Sequence, residues 1–157
     1  MDDMHRHDFR SVRVRGIAGV VKATTVFCLF LAVASSGAAA ADCYDVSQGE
    51  PNALEGLLSY RVFVGPSNYE DVSKGDQPEP GYLLKLDVPI CLTGDEDFTD
   101  PDDMFDEVQL VATEATQASM EKLRDSQVKV ELENPMPAHT GHHHRPLVAW
   151  VTAITPR

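Results

Sequence analysis

The chain has 157 residues and carries 25 acidic against 13 basic side chains, a net charge of −12 at neutral pH. So acidic a surface repels phosphate backbones and anionic lipid headgroups, which argues against nucleic acid as a partner. The length admits one domain of moderate size with a small core.

The N-terminal residues are set apart by composition. Arg6, Arg10, Arg13, Arg15 and Lys22 precede an apolar run, Val26 to Ala34, and then the small-residue stretch "SSGAAAAD". A basic flank, a short apolar core and an A-x-A end predict a secretory signal peptide over residues 1–41. Cleavage is expected after Ala41, with Ala40 nearly as good. The alternative is an uncleaved anchor over the 19 uncharged residues 23–41. That run is diluted by Thr24, Thr25, Ser35, Ser36 and Gly37, which weakens it as a span. Asp42 stands where a lipoprotein signal at Cys43 wants a small residue. The expectation is a periplasmic or secreted protein without stable membrane insertion after cleavage.

The mature chain is then 42–157, and its balance is more acidic still. The leader takes 5 of the basic and 3 of the acidic residues, leaving 8 against 22, a net of −14. Cys28 goes with the leader, so Cys43 and Cys91 remain. In an oxidising compartment two such thiols predict one disulfide, the alternative being two buried free thiols. The bridge closes a loop of 49 residues, worth roughly 4 kcal/mol on the chain-entropy estimate.

Five short apolar segments follow. In "LLSYRVFV" (57–64), Leu58, Tyr60, Val62 and Val64 alternate with Ser59, Arg61 and Phe63. In "YLLKLDVPICL" (82–92), Leu84, Leu86 and Val88 alternate with Lys85 and Asp87, and Pro89 is expected to end or kink the strand. "EVQLVAT" places Val108, Leu110 and Ala112 on one face. "QVKVELE" alternates most cleanly, with Val128, Val130 and Leu132 inward. "PLVAWVTAI" is nearly continuous in apolar residues, and its Trp150 is read as core. Between the third and fourth segments, "TEATQASMEKLRDS" predicts a helix over about 114–124. Thr113 is its expected cap, and Ala115, Ala118 or Ser119, and Leu123 its inner face.

Three strands, a helix and two further strands match the OB-fold, a five-stranded partly open barrel. A small β-sandwich with one helix is the alternative. In an OB-fold the loop between the first two strands, Gly65–Gly81, and the loop between the last two, Asn134–Pro146, flank the binding face. Asn68, Tyr69 and Glu70 are therefore expected near His142, His143 and His144 despite some 70 positions of separation.

Those same stretches carry a resemblance. Gly65, Pro66, Asn68, Tyr69 and Glu70 form G-P-x-N-Y-E, and Gly75, Asp76, Pro78 and Glu79 form G-D-x-P-E. Leu86, Asp87, Pro89, Ile90 and Cys91 form L-D-x-P-I-C. Thr140, Gly141, His142, His143, His144 and Pro146 form T-G-H-H-H-x-P. The chain thus resembles a family of small exported bacterial proteins classed as a domain of unknown function. The resemblance implies export and a compact β-domain, and no activity. One departure is "ELENPMPAHT", more proline-rich than the G-x-L that follows the fourth strand in such proteins.

The histidine tract admits two readings. His142 and His144 are two apart, so in an extended segment both point to one side. With His139, and an acid such as Glu70 or Asp76, they make a candidate zinc or copper site. Otherwise "TGHHHRP" is a structural turn or a non-metal ligand loop, with Gly141 supplying a positive φ and His143 facing or covering the core. The acidic run "GDEDFTDPDDMFDE" fails as an EF-loop. Its sixth position is Asp100 where glycine is needed, and its twelfth is Asp106 rather than glutamate. It reads as a solvated, mobile loop. No G-x-S-x-G, H-E-x-x-H or P-loop motif occurs, so catalysis has no sequence support and no cofactor is certain. The expectation is a non-catalytic module for a small ligand, a glycan or an envelope protein, with metal binding as the alternative.

Overall fold

A computed structural model describes residues 43–157. The expected leader, residues 1–41, lies outside the described residues. Among those described, no helix is long and apolar enough to cross a membrane.

The described residues hold two single-turn 3-10 helices, at Val46–Gln48 and Val72–Lys74, and six strands and one α-helix. They are β1 (Cys43–Asp45), β2 (Ala53–Val64), β3 (Pro78–Thr93), β4 (Phe105–Ala112), α1 (Gln117–Lys122), β5 (Gln127–Pro137) and β6 (Leu147–Pro156). Strand β2 pairs antiparallel with both β3 and β5, and β3 pairs with β4. Strand β4 runs parallel to β6, and β6 returns antiparallel to β5. The circuit β2-β3-β4-β6-β5 therefore closes on itself. This is the connectivity of an OB-fold-like barrel, with α1 between its third and fourth strands.

The sequence reading lacked β1. Three residues are too few to show a period, and their pairing is long-range: Cys43, Tyr44 and Asp45 lie parallel to Cys91, Leu92 and Thr93. Cys43 and Cys91 are joined by the expected disulfide, their Cα atoms 4.3 Å apart.

The core follows the period-two pattern where the barrel is closed. Leu54, Leu58, Leu84, Leu86, Val108, Leu110, Val128, Val130, Leu132, Leu147 and Val151 all point into one cluster. At the strand ends the pattern outruns the barrel. Val62 is 60% exposed, and Tyr60 and Val88 are also exposed, although they continue the inward registers of Leu58 and Leu86. Trp150 is only half-buried and lies outside the core cluster. Pro89 does not end its strand. β3 runs on to Thr93, with a register shift against β4 between Lys85 and Ile90 that absorbs the missing donor.

The helix is shorter than the sequence predicts, and of its expected inner face only Leu123 turns inward. Thr116, Met120 and Leu123 pack against the barrel, whereas Ala115, Ala118 and Ser119 are exposed. Thr113 does not cap it. Its hydroxyl donates to the Val151 carbonyl at 3.0 Å, and Thr116 Oγ1 makes a parallel bond at 3.1 Å. The two threonines thus tie the start of the helix to β6. Met120 fills the end of the barrel, which the more helix-favouring alanines are too small to do.

Candidate functional site

The β2–β3 loop owes its shape to one carboxylate. Asp76, 6% exposed, accepts backbone N–H bonds from Asn68 (2.8 Å), Glu70 (2.8 Å) and Asp71 (2.9 Å). Its carboxylate is spent on the backbone of its own loop, so it is not free to ligate a metal, as the sequence reading allowed. The bonds from Asn68, Asp71 and Glu70 outweigh partial burial and hold the Asp76 carboxyl below its ordinary value. A lowered folded pKa contributes stability above the unfolded value, and that stability is lost as pH falls through the folded one. The loop is therefore expected to stay locked through the ordinary aspartate range and to unlock only at more acidic pH. Asp76→Asn leaves only one acceptor oxygen for three donors. It should unlock residues 65–77 at neutral pH and remove the acid dependence. Amide hydrogen exchange across the loop checks this, and unchanged protection in the variant would refute it.

Held in this way, the loop presents Tyr69 in the left-handed region, at φ 60°. A bulky residue there is strained and persists only where its surroundings impose it. The Tyr69 ring meets His142 edge-on, with centroids 6.3 Å apart. Its hydroxyl lies over Gly141, where a Cβ would come within 2.8 Å of it. Gly141 does not have a positive φ. It is glycine because the tyrosine approaches so closely, not because the turn demands a left-handed residue. The side chains of Asn68 and Glu70 point into solvent nearby.

The histidine loop folds back over β2 and β3. His142 Nδ1 donates to Glu79 Oε1 at 2.5 Å, and His144 Nε2 donates to Glu79 Oε2 at 2.8 Å. Phe63, the β2 partner of Glu79, stacks on His144 with centroids 4.2 Å apart and planes 9° from parallel. Gln109 of β4 clamps the loop backbone, donating to the His142 carbonyl at 3.0 Å and accepting from His144 N–H at 2.6 Å. Arg145 Nε donates to Glu107 at 2.7 Å and so pins the loop's exit to the same sheet face. Burial pushes the Glu79 carboxyl up, but the hydrogen bonds from His144 and His142 prevail and hold it below its usual range. Between Phe63, Glu79, Gly81, Gln109, His142 and His144 lies a cleft of about 280 Å³.

His139 is not part of this group. Its Nδ1 meets the Pro137 carbonyl at 2.9 Å, and its ring lies against Phe98 and His143. His143 faces the same way. Burial, followed by the neighbouring His139, lowers its pKa and favours the neutral ring. The four histidines thus divide between two sides of the loop. Glu79 with His142 and His144 comes nearest to a metal-ligand set. Yet among the described residues no group of three or more His, Cys, Asp or Glu side chains is disposed to hold a metal ion. Sequence reading passed over Phe63, Gln109 and Glu79 as site residues. Glu79 stands in the G-D-x-P-E motif, but its partners lie 63 and 65 positions away.

A closed OB-fold-like barrel with an aromatic and histidine-lined cleft beneath one of its loops is the class of protein these features define. Over residues 107–155 the chain is similar to a family described as a domain of unknown function (DUF4431). The match takes in most of β4 through most of β6, including the T-G-H-H-H-x-P motif, and leaves out the Tyr69 loop. No curated protein and no solved structure matches the chain.

Proposed function

We propose that the protein is an exported, non-catalytic binding module whose ligand seats between Tyr69 and the His142–His144 segment. One observation carries the reading: the His142–His144 segment, met edge-on at His142 by Tyr69 from a loop far away in sequence, overhangs a cleft lined by Phe63, Glu79 and Gln109. The strain at Tyr69 supports it, because conformational strain concentrates at functional positions. So does the ordering of both loops by dedicated side chains, since a preformed site loses less entropy on binding. Aromatic rings beside paired hydrogen-bonding groups suit a small polar ligand, a glycan or a segment of an envelope protein. Export is proposed from the leader pattern, in keeping with a disulfide in a small domain.

The test is an amide NMR titration with a panel of mono- and disaccharides and short peptides. Shifts are expected at residues 65–71, 79–81, 109 and 140–145. They should fall at least about tenfold in affinity in Tyr69→Ala/His142→Ala, the cost of losing an aromatic anchor and a charged hydrogen bond. Shifts elsewhere, or shifts unchanged in that variant, would overturn the reading.

Metal capture is the second reading, favoured by the meeting of two imidazoles on one carboxylate. Calorimetry with zinc, copper and nickel separates the two. Stoichiometric binding lost in His142→Ala/His144→Ala supports the metal; no heat in the wild type removes it.

A further inference from the structure

On the far side of the histidine loop the β3–β4 connection closes a second and larger cleft, about 380 Å³ in volume. This connection is the acidic run that reads as a solvated loop in the sequence. In the structure it is built of local turns. Thr99 Oγ1 donates to the Asp95 carbonyl at 2.6 Å, Asp97 N–H to Asp95 Oδ1 at 3.2 Å, and Asp102 N–H to Asp100 Oδ1 at 2.9 Å. These turns carry Phe98 across to His139, with ring centroids 5.9 Å apart. The cleft between them has an apolar wall of Leu92, Phe98 and Phe105. Phe98 is 53% exposed, an aromatic ring left open at the rim.

The polar groups of the cleft set its preference. Arg145 is the one basic side chain in the lining, and it is already engaged by Glu107 and by the His144 carbonyl. The Thr99 hydroxyl is spent on Asp95. His143 accepts the His139 N–H at Nδ1 (3.3 Å), which leaves a neutral ring with its proton on Nε2. Among the described residues the Asp103 carboxylate has no partner, and Asp100 has one oxygen free. The charged groups left unpaired in the lining are therefore two carboxylates, beside the exposed Phe98 and the half-buried Phe105 rings. A carboxylate neutralises an ammonium group, and an aromatic face attracts it through the ring quadrupole. We infer that this cleft binds a small organic ammonium ion with an apolar body, its charge toward Asp100 and Asp103 and its body against Phe98 and Phe105. The site is distinct from the cleft between Phe63, Glu79 and His142, and its test does not depend on that reading.

Benzylamine is the probe, titrated into the isotope-labelled chain at pH 7 and followed by amide shifts. Benzyl alcohol serves as its neutral isostere, and n-butylamine carries the charge without the ring. Shifts are expected at residues 92, 98–105 and 143–146. Benzyl alcohol should bind at least about tenfold more weakly, since it forfeits the charge, and n-butylamine several-fold more weakly, since it forfeits ring packing. Asp100→Asn/Asp103→Asn should cost benzylamine about tenfold, and Phe98→Ala should remove its advantage over n-butylamine. All three positions are exposed, so the barrel resonances should stay in place and report the fold. Equal binding of benzylamine and benzyl alcohol, shifts confined to other surfaces, or an Asp100→Asn/Asp103→Asn variant that binds as the wild type does would each overturn the inference.

Discussion

Replacing Cys43 and Cys91 together by serine should lower the unfolding free energy by about 4 kcal/mol, the largest single effect expected in this chain. The bridge spans a sequence separation of 48 residues and takes in the whole of β2, the Asp76 loop and most of β3. Without it the unfolded chain regains the freedom of that loop. The folded state loses as well. Strand β1 is three residues long and, among the described residues, pairs with the end of β3 at the bridge itself. Tyr44 and Val46, which pack against the core from this segment, should then fray with it. Urea unfolding of oxidised wild type and the double serine variant checks this. A midpoint shift of under about 1 kcal/mol equivalent would mean that the unfolded state is already compact around these residues.

Leu84→Ala should cost about 3 kcal/mol, within the range for emptying a leucine site in a closed core. Leu84 is fully buried and lies between Leu58 of β2 and Val108 of β4, to which it is directly registered. It cannot be replaced by the collapse of a loop, because strands on both sides are held by the barrel ladder. Gly56 limits relaxation further. A Cβ there would collide with the Lys85 carbonyl and lie 3.2 Å from Leu84 Cγ, so β2 and β3 already touch at this point. Val62→Ala is the comparison. It deletes two carbons, against three in Leu84→Ala, from an exposed position of the same sheet and should change stability by no more than about 0.5 kcal/mol. Equal losses in the two variants would mean that the barrel is not the cooperative unit.

Several elements could be read without the structure because their causes are local. "QVKVELE" alternates strictly, and its Val128, Val130 and Leu132 are buried while Lys129, Glu131 and Glu133 are exposed. The position of a helix between the third and fourth long strands narrows the topology to few choices, and the barrel closes as that order implies. The disulfide followed from counting thiols outside the expected leader. The proximity of Tyr69 and His142 followed from the fold, since OB-fold loops at one end of a barrel are neighbours whatever their contents.

What only the tertiary structure decided has one physical reason: it depends on groups that meet across dozens of residues. Glu79 gains its two imidazoles, Asp76 its three backbone donors, and Phe63 its stacked His144 from the way loops lie on the sheet. The face of α1 is set by the space left at the end of the barrel, which Met120 fills, and not by the periodicity of its alanines. The acidic run likewise shows only charge when read along the chain. In space its Phe98 reaches His139 and closes a cleft, because Asx turns bend it back on the barrel. Composition and period determined the barrel and its two candidate loops. Long-range contacts decided which side chains those loops bring together.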